Sequence, residues 1–322
     1  MRAYVQIGYG TADVLREAEL PTPEPTDGEV LVRVRAASVA AGDVYLMRGK
    51  PFVARLAVGF PSPRRDYIVG LDFAGVVEKV GAGVTGFTAG DEVFGECKGA
   101  CAEFARAETR RIARKPAGIS FEQAAAVPTS ACTALQALRD SGRVRSGMRV
   151  LINGASGGVG TYTVQMAKAL GAEVTAVCGT RNVELVRSLG ADHVIDYTRE
   201  DFTDSELRYD VIIDNVANYS LHRARRALAP GGIHVPSSGA AGIWWIIKAA
   251  LTAPFVASQG KPFLALTVTD DLEAIASMIE AGTIAPVIDK AYSFAEVPAA
   301  FGYVDTGHAN GKVVITVGLD GM

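Results

Sequence analysis

The sequence predicts an α/β protein of two domains, a small β-barrel followed by a doubly wound parallel sheet. Three observations carry that prediction. At 322 residues the chain exceeds what one hydrophobic core ordinarily serves. The first 119 residues hold alternating strand segments separated by glycines, whereas from Arg149 strands and helices take turns. Within that second part, Val150–Cys178 has the spacing of one complete strand, turn, helix and strand.

Taken in order, Met1–Ile7 reads as a short alternating strand, Glu29–Arg35 as a half-buried one, and Phe73–Val80 as another that stops at the turn residues Gly81, Gly83 and Gly86. Gly90–Gly95 adds a further short strand, and the rhythm is that of a small barrel. Ser120, with Glu122 and Gln123 behind it, reads as an N-cap, so helix begins there. After the Val150–Cys178 unit come strands His193–Tyr197 and Asp210–Val216, a helix Ser220–Leu228 stopped by Pro230-Gly231-Gly232, and strand Ile233–Pro236. Gly239–Ala257, apolar and carrying Trp244 and Trp245, contains Lys248 and Pro254 and reads as a buried or interface helix rather than a membrane span. The tail from Lys290 returns to strand-like alternation and closes with Gly311–Val317, which predicts that the C-terminal segment rejoins the first domain.

The turn inside Val150–Cys178 is chemically specific. Asn153-Gly154-Ala155-Ser156-Gly157-Gly158-Val159-Gly160 joins an apolar strand to a helix N-terminus, with small residues at 155, 157 and 160. This is the A-x-G-x-x-G form of the dinucleotide fingerprint: little side chain blocks the backbone from a pyrophosphate, and free N–H groups at the positive helix end can hold it. At the end of the next strand an NAD protein ordinarily presents Asp or Glu to the ribose hydroxyls. This chain has Cys178-Gly179-Thr180-Arg181-Asn182 instead. A guanidinium suits a 2′-phosphate, with Thr180 and Asn182 as added neutral donors, so NADPH is expected over NADH. The alternative, that Arg181 is a solvated residue opening the next helix, stays open.

Composition narrows the partner. With 49% hydrophobic and 21% charged residues and a net charge of −3, the chain offers no basic field for nucleic acid or an anionic membrane, which points to a small-molecule partner. The start shows no signal-peptide pattern, and four cysteines, at 97, 101, 132 and 178, are too few and scattered for a disulfide framework. A reducing cytoplasm is the expected setting.

Several motifs together resemble one superfamily. They are Gly70–Val77 followed by Gly81, Gly83, Gly86 and Gly90–Val93, then Thr133-Ala134, the 154–160 fingerprint, Leu189–Tyr197, and Gly311–Val314. The chain resembles the medium-chain dehydrogenases/reductases over essentially its whole length, and within them looks most like the zinc-free quinone oxidoreductase, or zeta-crystallin-like, branch. The resemblance implies a GroES-like barrel domain over residues 1–119, a Rossmann domain over 120–262, and a segment 263–322 returning to the catalytic domain, with the active site in the cleft between domains. It also implies a homodimer or homotetramer. By the same resemblance Thr133 lies near the nicotinamide, Tyr197 on the adenosine phosphate side, Ser238-Gly239 in the loop passing the nicotinamide, and Gly311-Lys312 in the closing segment beside the cofactor; Gly179 and Thr180 join Arg181 as expected cofactor contacts at the strand end. A helix residue bonding its own backbone remains the alternative for Thr133, and core packing for Tyr197.

The zinc-dependent branch carries a Cys three residues before an Asp and a Gly-His-Glu motif further on; here those places hold Ala40, before Asp43, and Gly70-Leu71-Asp72. Alanine and leucine cannot bind a metal, and Cys97-x-x-x-Cys101 has no neighbouring pair to complete a tetrahedron, so no metal is expected. Without a Lewis acid, the chemistry that remains is hydride delivery to an acceptor that spreads its own negative charge, a quinone or an α,β-unsaturated carbonyl. Tyr45 aligns with a pocket tyrosine whose phenol could hydrogen-bond a developing oxyanion or donate a proton; a pocket wall without catalytic effect is the alternative. Asp43 and Asp72 fit barrel-stabilising hydrogen bonds as well as acid catalysis. His193, His222, His234 and His308 are scattered and read as surface or loop residues. A tailoring enone reductase of a biosynthetic pathway, or a non-catalytic NADPH-binding redox sensor or structural protein, are the competing functions.

Overall fold

The structure is a computed structural model and describes residues 1–237 and 265–318. The chain forms two compact units: Met1–Cys132 with Leu266–Gly282 and Pro286–Met322, and Thr133–Ala265 with Thr283–Ala285.

In the first unit, β1 (Arg2–Gln6) and β2 (Leu15–Glu19) form an antiparallel pair. The principal sheet has seven strands. β3 (Glu29–Val39) lies at its centre, pairing with β4 (Asp72–Val80) and with β6 (Phe104–Glu108); β5 (Glu92–Glu96) and β7 (Ile112–Arg114) continue the sheet beyond β4. Val30, Val32 and Val34 are buried while Arg33 is half-buried and Arg35 exposed, as the expected alternation requires, but Leu31, on the other face, is buried too. Phe73, Val93, Ile112, Phe294 and Phe301 join the same core. Between β3 and β4 the chain makes α1 (Ala41–Arg48) and the single turn α2 (Arg55–Val58). The expected Ser120 cap is present: Ser120 Oγ accepts from the Gln123 amide and Gln123 Oε1 from the Ser120 amide, starting α3 (Phe121–Ala125), and α4 (Pro128–Gln136) follows.

Among the described residues the second unit holds a five-stranded sheet, wholly parallel. Its strands are β8 (Arg149–Asn153), β9 (Glu173–Cys178), β10 (His193–Asp196), β11 (Tyr209–Asp214) and β12 (Leu228–Pro236), in the order β10-β9-β8-β11-β12. α5 (Gly158–Ala169), α6 (Val183–Ser188) and α7 (Leu221–Arg225) are the crossovers. Central strands buried on both faces need continuous apolar runs, and Val150, Leu151, Ile152, Val211, Ile212 and Ile213 are all within 1% of full burial.

Two sequence expectations need correction. The helix expected over Ser220–Leu228 ends earlier, because Leu228 already pairs with Tyr209 as β12 begins. Pro230-Gly231-Gly232 is therefore an irregularity within β12, where the register shifts between the Tyr209 and Val211 pairs, and not a helix stop. The tail is also not all strand: β13 (Ile288–Ser293) and β14 (Lys312–Thr316) are separated by the helix Val297–Asp305, and the helix Thr269–Glu280 precedes them. β14 sits beside β3, antiparallel to it, so the C-terminal strand is an interior member of the first unit's sheet. The helix expected in Gly239–Ala257 lies outside the described residues. Among the described residues no helix is long and apolar enough to cross a membrane.

Candidate nucleotide site and buried carboxylate cluster

The parallel sheet changes winding direction at β8, which has β9 on one side and β11 on the other. Such a switch point opens a crevice at the carboxyl ends of the strands. The turn leaving β8 there is shaped by two glycines. Gly154 has φ +74°, in the left-handed region, and a Cβ on it would come within 2.6 Å of Val216 Cγ2. On Gly160 a Cβ would fall 2.1 Å from Gly154 O, so only glycine lets the first turn of α5 lie this close to the turn before it. Ala155 is buried, its amide bonded to Val177 O; Gly157 is the N-cap of α5, and Thr161 N is the first amide to bond back to it. The amides of Gly158, Val159 and Gly160 therefore lack intrahelical partners and face the helix's positive end. Ser156, half-buried, accepts from Asn182 Nδ2 at 3.1 Å, which ties the turn to the segment after β9.

That segment holds Gly179, Thr180 and Arg181. Arg181 is exposed and forms no ion pair among the described residues. Thr180 Oγ1 donates to Asp196 Oδ2 at 2.6 Å. Asp196, at the end of β10, is a carboxylate that the sequence reading missed: β9 itself ends without an acid, but the adjoining strand brings one alongside. Hydrogen bonds from Thr180 and Thr198 hold its carboxyl below the usual range. Tyr197 is 56% exposed, which rules out core packing, and its phenol oxygen stands 3.2 Å from where a Cβ on Gly179 would be. These residues fit a dinucleotide: small side chains and free amides at the turn, then an unpaired guanidinium at the next strand end. Ser238 and Gly239 lie outside the described residues. Thr133 is buried on α4.

A second polar feature at the switch point was not read from the sequence. Asp214, the last residue of β11, is 2% exposed. Its Oδ1 accepts from Asn153 Nδ2 at 2.8 Å, from the Ala217 amide at 2.8 Å and from the Val216 amide at 3.2 Å. Its Oδ2 lies 3.3 Å from His234 Nε2. Burial alone would raise this carboxyl's pKa, but His234 and the hydrogen bonds outweigh it and hold the group below the usual range. His234 is accordingly buried, not a surface or loop residue. The readable signal was a polar residue closing each of two adjacent apolar strands, Asn153 and Asp214.

In the first unit, Tyr45 is half-buried on α1. Asp43, two residues before it, is buried and accepts the Ala40 amide at 2.8 Å through Oδ2, half of a capping box whose other half Ala40 cannot supply. Its Oδ1 is buried without a partner. Burial, aided by the nearby Asp72 and Glu96, pushes its pKa to about 7 against the pull of the Ala40 amide and Lys312. Asp72 is fully engaged: Oδ1 accepts from the Thr129 amide and hydroxyl, and Oδ2 from Ser38 Oγ and Lys312 Nζ, both at 3.2 Å. Lys312 is 2% exposed and its ammonium is committed to that ion pair. Gly311, before it, has φ +104°, with Val287 O only 2.5 Å from a Cβ position. Ala40 and Leu71 occupy the places discussed above, and burial pushes the Cys97 and Cys101 thiols far above their ordinary range. Among the described residues no group of three or more His, Cys, Asp or Glu side chains could hold a metal ion, so the donor set does not fit zinc.

A parallel sheet with this turn at its switch point in one unit, and a mainly antiparallel sheet in the other, define a two-unit dinucleotide-binding protein. Residues 26–137 match the alcohol dehydrogenase GroES-like domain, and residues 189–315 match a family described as zinc-binding dehydrogenase. A 2-methylene-furan-3-one reductase of Solanum lycopersicum is 34% identical, the alignment covering 98% of this chain and 79% of that protein. An NADPH-dependent alkenal/one oxidoreductase, chloroplastic, of Arabidopsis thaliana is 35% identical with the same coverage. The solved quinone oxidoreductase of Coxiella burnetii superposes with a TM-score of 0.88 at 30% identity, over 99% of both chains. The chain belongs to the medium-chain dehydrogenase/reductase superfamily, in its quinone oxidoreductase and alkenal/one oxidoreductase branch.

Proposed function

We propose that this protein is an NADPH-dependent, zinc-independent reductase that delivers hydride to a quinone or an α,β-unsaturated carbonyl. The observation that carries the reading is the combination of a dinucleotide-shaped turn, Gly154–Gly160, with a first unit whose Ala40 and Leu71 replace zinc donors. The names of the two plant relatives and of the Coxiella burnetii structure support the same acceptor classes. When bound, NADPH supplies the hydride. The turn amides of Gly158, Val159 and Gly160 hold the pyrophosphate, with Gly157 leaving room for it, and Arg181, with Gly179, Thr180 and Tyr197 around it, recognises the 2′-phosphate. Thr133 and the Ser238-Gly239 segment flank the nicotinamide end.

On the acceptor, Tyr45 donates a hydrogen bond to the oxygen that gains charge, and water can supply the proton. Gly311-Lys312 is the closing segment beside the cofactor, with Lys312 neutralising the buried Asp72 and Gly311 allowing the close turn before it. Four free cysteines, all buried, support a reducing cytoplasm as the setting, and a homodimer or homotetramer is the assembly proposed.

The decisive experiment is steady-state oxidation of NADPH and NADH across a panel of quinones and enones. Turnover confined to NADPH with activated acceptors is expected. NADP-linked oxidation of simple alcohols, with none of the panel reduced, would overturn the proposal.

A further inference from the structure

The cluster around Asp214 does more than terminate a strand. One carboxylate collects bonds from both strands that face each other across the switch point: from Asn153, the residue immediately before the glycine turn, and from the two amides of the turn that follows β11. That second turn is conformationally demanding, since Ala217 has φ +58° and is one of two non-glycine residues in the left-handed region among those described. Its amide is held by Asp214 at 2.8 Å. Val216, beside it, closes on Gly154, where a Cβ would be only 2.6 Å away. Asn153 Nδ2 also reaches Asn218 Oδ1 at 2.9 Å, and the Asn215 amide bonds to Asn153 O at 3.1 Å. The turn after β11 and the turn after β8 are thus fastened together, and Asp214 is the common anchor.

We propose that Asp214 is a positioning residue for the dinucleotide site: through its carboxylate it fixes the Val216–Ala217 turn and Asn153 against the glycine turn, and so sets cofactor affinity without touching the reacting atoms. The inference rests on the reading of that turn as a nucleotide site. Asp214→Asn keeps the shape but removes the charge, so Asn153 and the two amides of the left-handed turn exchange a charge-assisted acceptor for a weaker, neutral amide oxygen.

The test is fluorescence titration of the full-length protein with NADPH, alongside thermal unfolding. For Asp214→Asn the expected result is a dissociation constant raised about tenfold or more, with KM for NADPH rising in step and kcat at saturating NADPH within about twofold of native. Ile213→Val, one residue earlier in the same buried strand, is expected to lower the unfolding midpoint while leaving the dissociation constant unchanged. Native affinity in Asp214→Asn overturns the proposal. Equal loss of affinity in Ile213→Val also overturns it, because sheet stability alone would then account for the effect. If Asp214→Asn does not fold, Asn153→Ser takes its place: it removes one donor, leaves the two backbone bonds, and is expected to weaken NADPH about threefold or more, while native affinity overturns the proposal. A native protein that binds neither NADPH nor NADH refutes the reading of the site itself; native binding with unaffected variants refutes only the role of Asp214.

Discussion

Replacing Asp43 with asparagine is predicted to make the protein more stable at neutral and alkaline pH and to leave it little changed in acid. In the folded chain the carboxyl rises from an ordinary 3.8 to about 7 through burial, with one oxygen unpartnered. Between those values the folded state keeps a proton that the unfolded chain has released, so stability falls as pH rises. The contribution is fully present below about pH 4 and lost once pH passes about 7. A rise of that size, at about 1.4 kcal/mol per tenfold change, amounts to about 4 kcal/mol over the whole range, and about 3 kcal/mol between pH 5 and pH 8. Asparagine mimics the protonated acid, retains an acceptor for the Ala40 amide and carries no such slope. Urea unfolding of both proteins at pH 5, 6, 7 and 8 measures the effect, because their difference in midpoint cancels the groups they share. The difference should move toward the variant by about 3 kcal/mol from pH 5 to pH 8. A difference independent of pH would refute the account of Asp43 as a buried, proton-holding acid.

Arg181→Ala should weaken NADPH about tenfold or more and hardly affect NADH, the loss of one charge-assisted contact being about 1.5–3 kcal/mol; equal native dissociation constants for the two cofactors would contradict it. Lys312→Met leaves the buried Asp72 carboxylate without its cation and should cost about 3–5 kcal/mol in unfolding experiments, much of it recovered when Asp72→Asn is added. Gly160→Ala places a Cβ 2.1 Å from Gly154 O, so α5 must shift; NADPH titration should show weakened binding, and unfolding a loss of about 1–3 kcal/mol. Turnover should survive prolonged chelation, with metal analysis finding less than stoichiometric zinc.

The glycine turn was legible because its residues are forced by backbone geometry: φ at Gly154 and the approach of Gly154 O at Gly160 admit nothing larger, so the pattern is local and strict. The apolar strands β8 and β11 were legible for a similar reason, since double-sided burial leaves no alternation to misread. What escaped was non-local. Asp196 reaches Thr180 only because β10 lies beside β9, and Asp214 meets His234 and Asn153 only once three strands are in register. The proton held by Asp43 likewise depends on burial, and to a smaller degree on Asp72 and Glu96, which other elements bring to it. The helix Val297–Asp305 was missed because its apolar run, with Pro298 and Gly302, lacks the polar face that marks an amphipathic helix.

The interior place of β14 bears on how the chain is made. Asp72 and Lys312 are 240 positions apart, and the Ala36–Val39 part of β3, beyond its pairing with β6, lies open along one edge until β14 arrives. During vectorial synthesis the ribosome emits every strand of the parallel sheet before it emits β14, so the second unit can condense on the nascent chain while the first waits with an unpaired edge and a buried-to-be carboxylate in water. β14 completes the sheet that β3 begins, so that sheet closes only after the strands of the parallel sheet have been emitted, which makes this long-range pairing, rather than local helix or hairpin formation, the event that completes it.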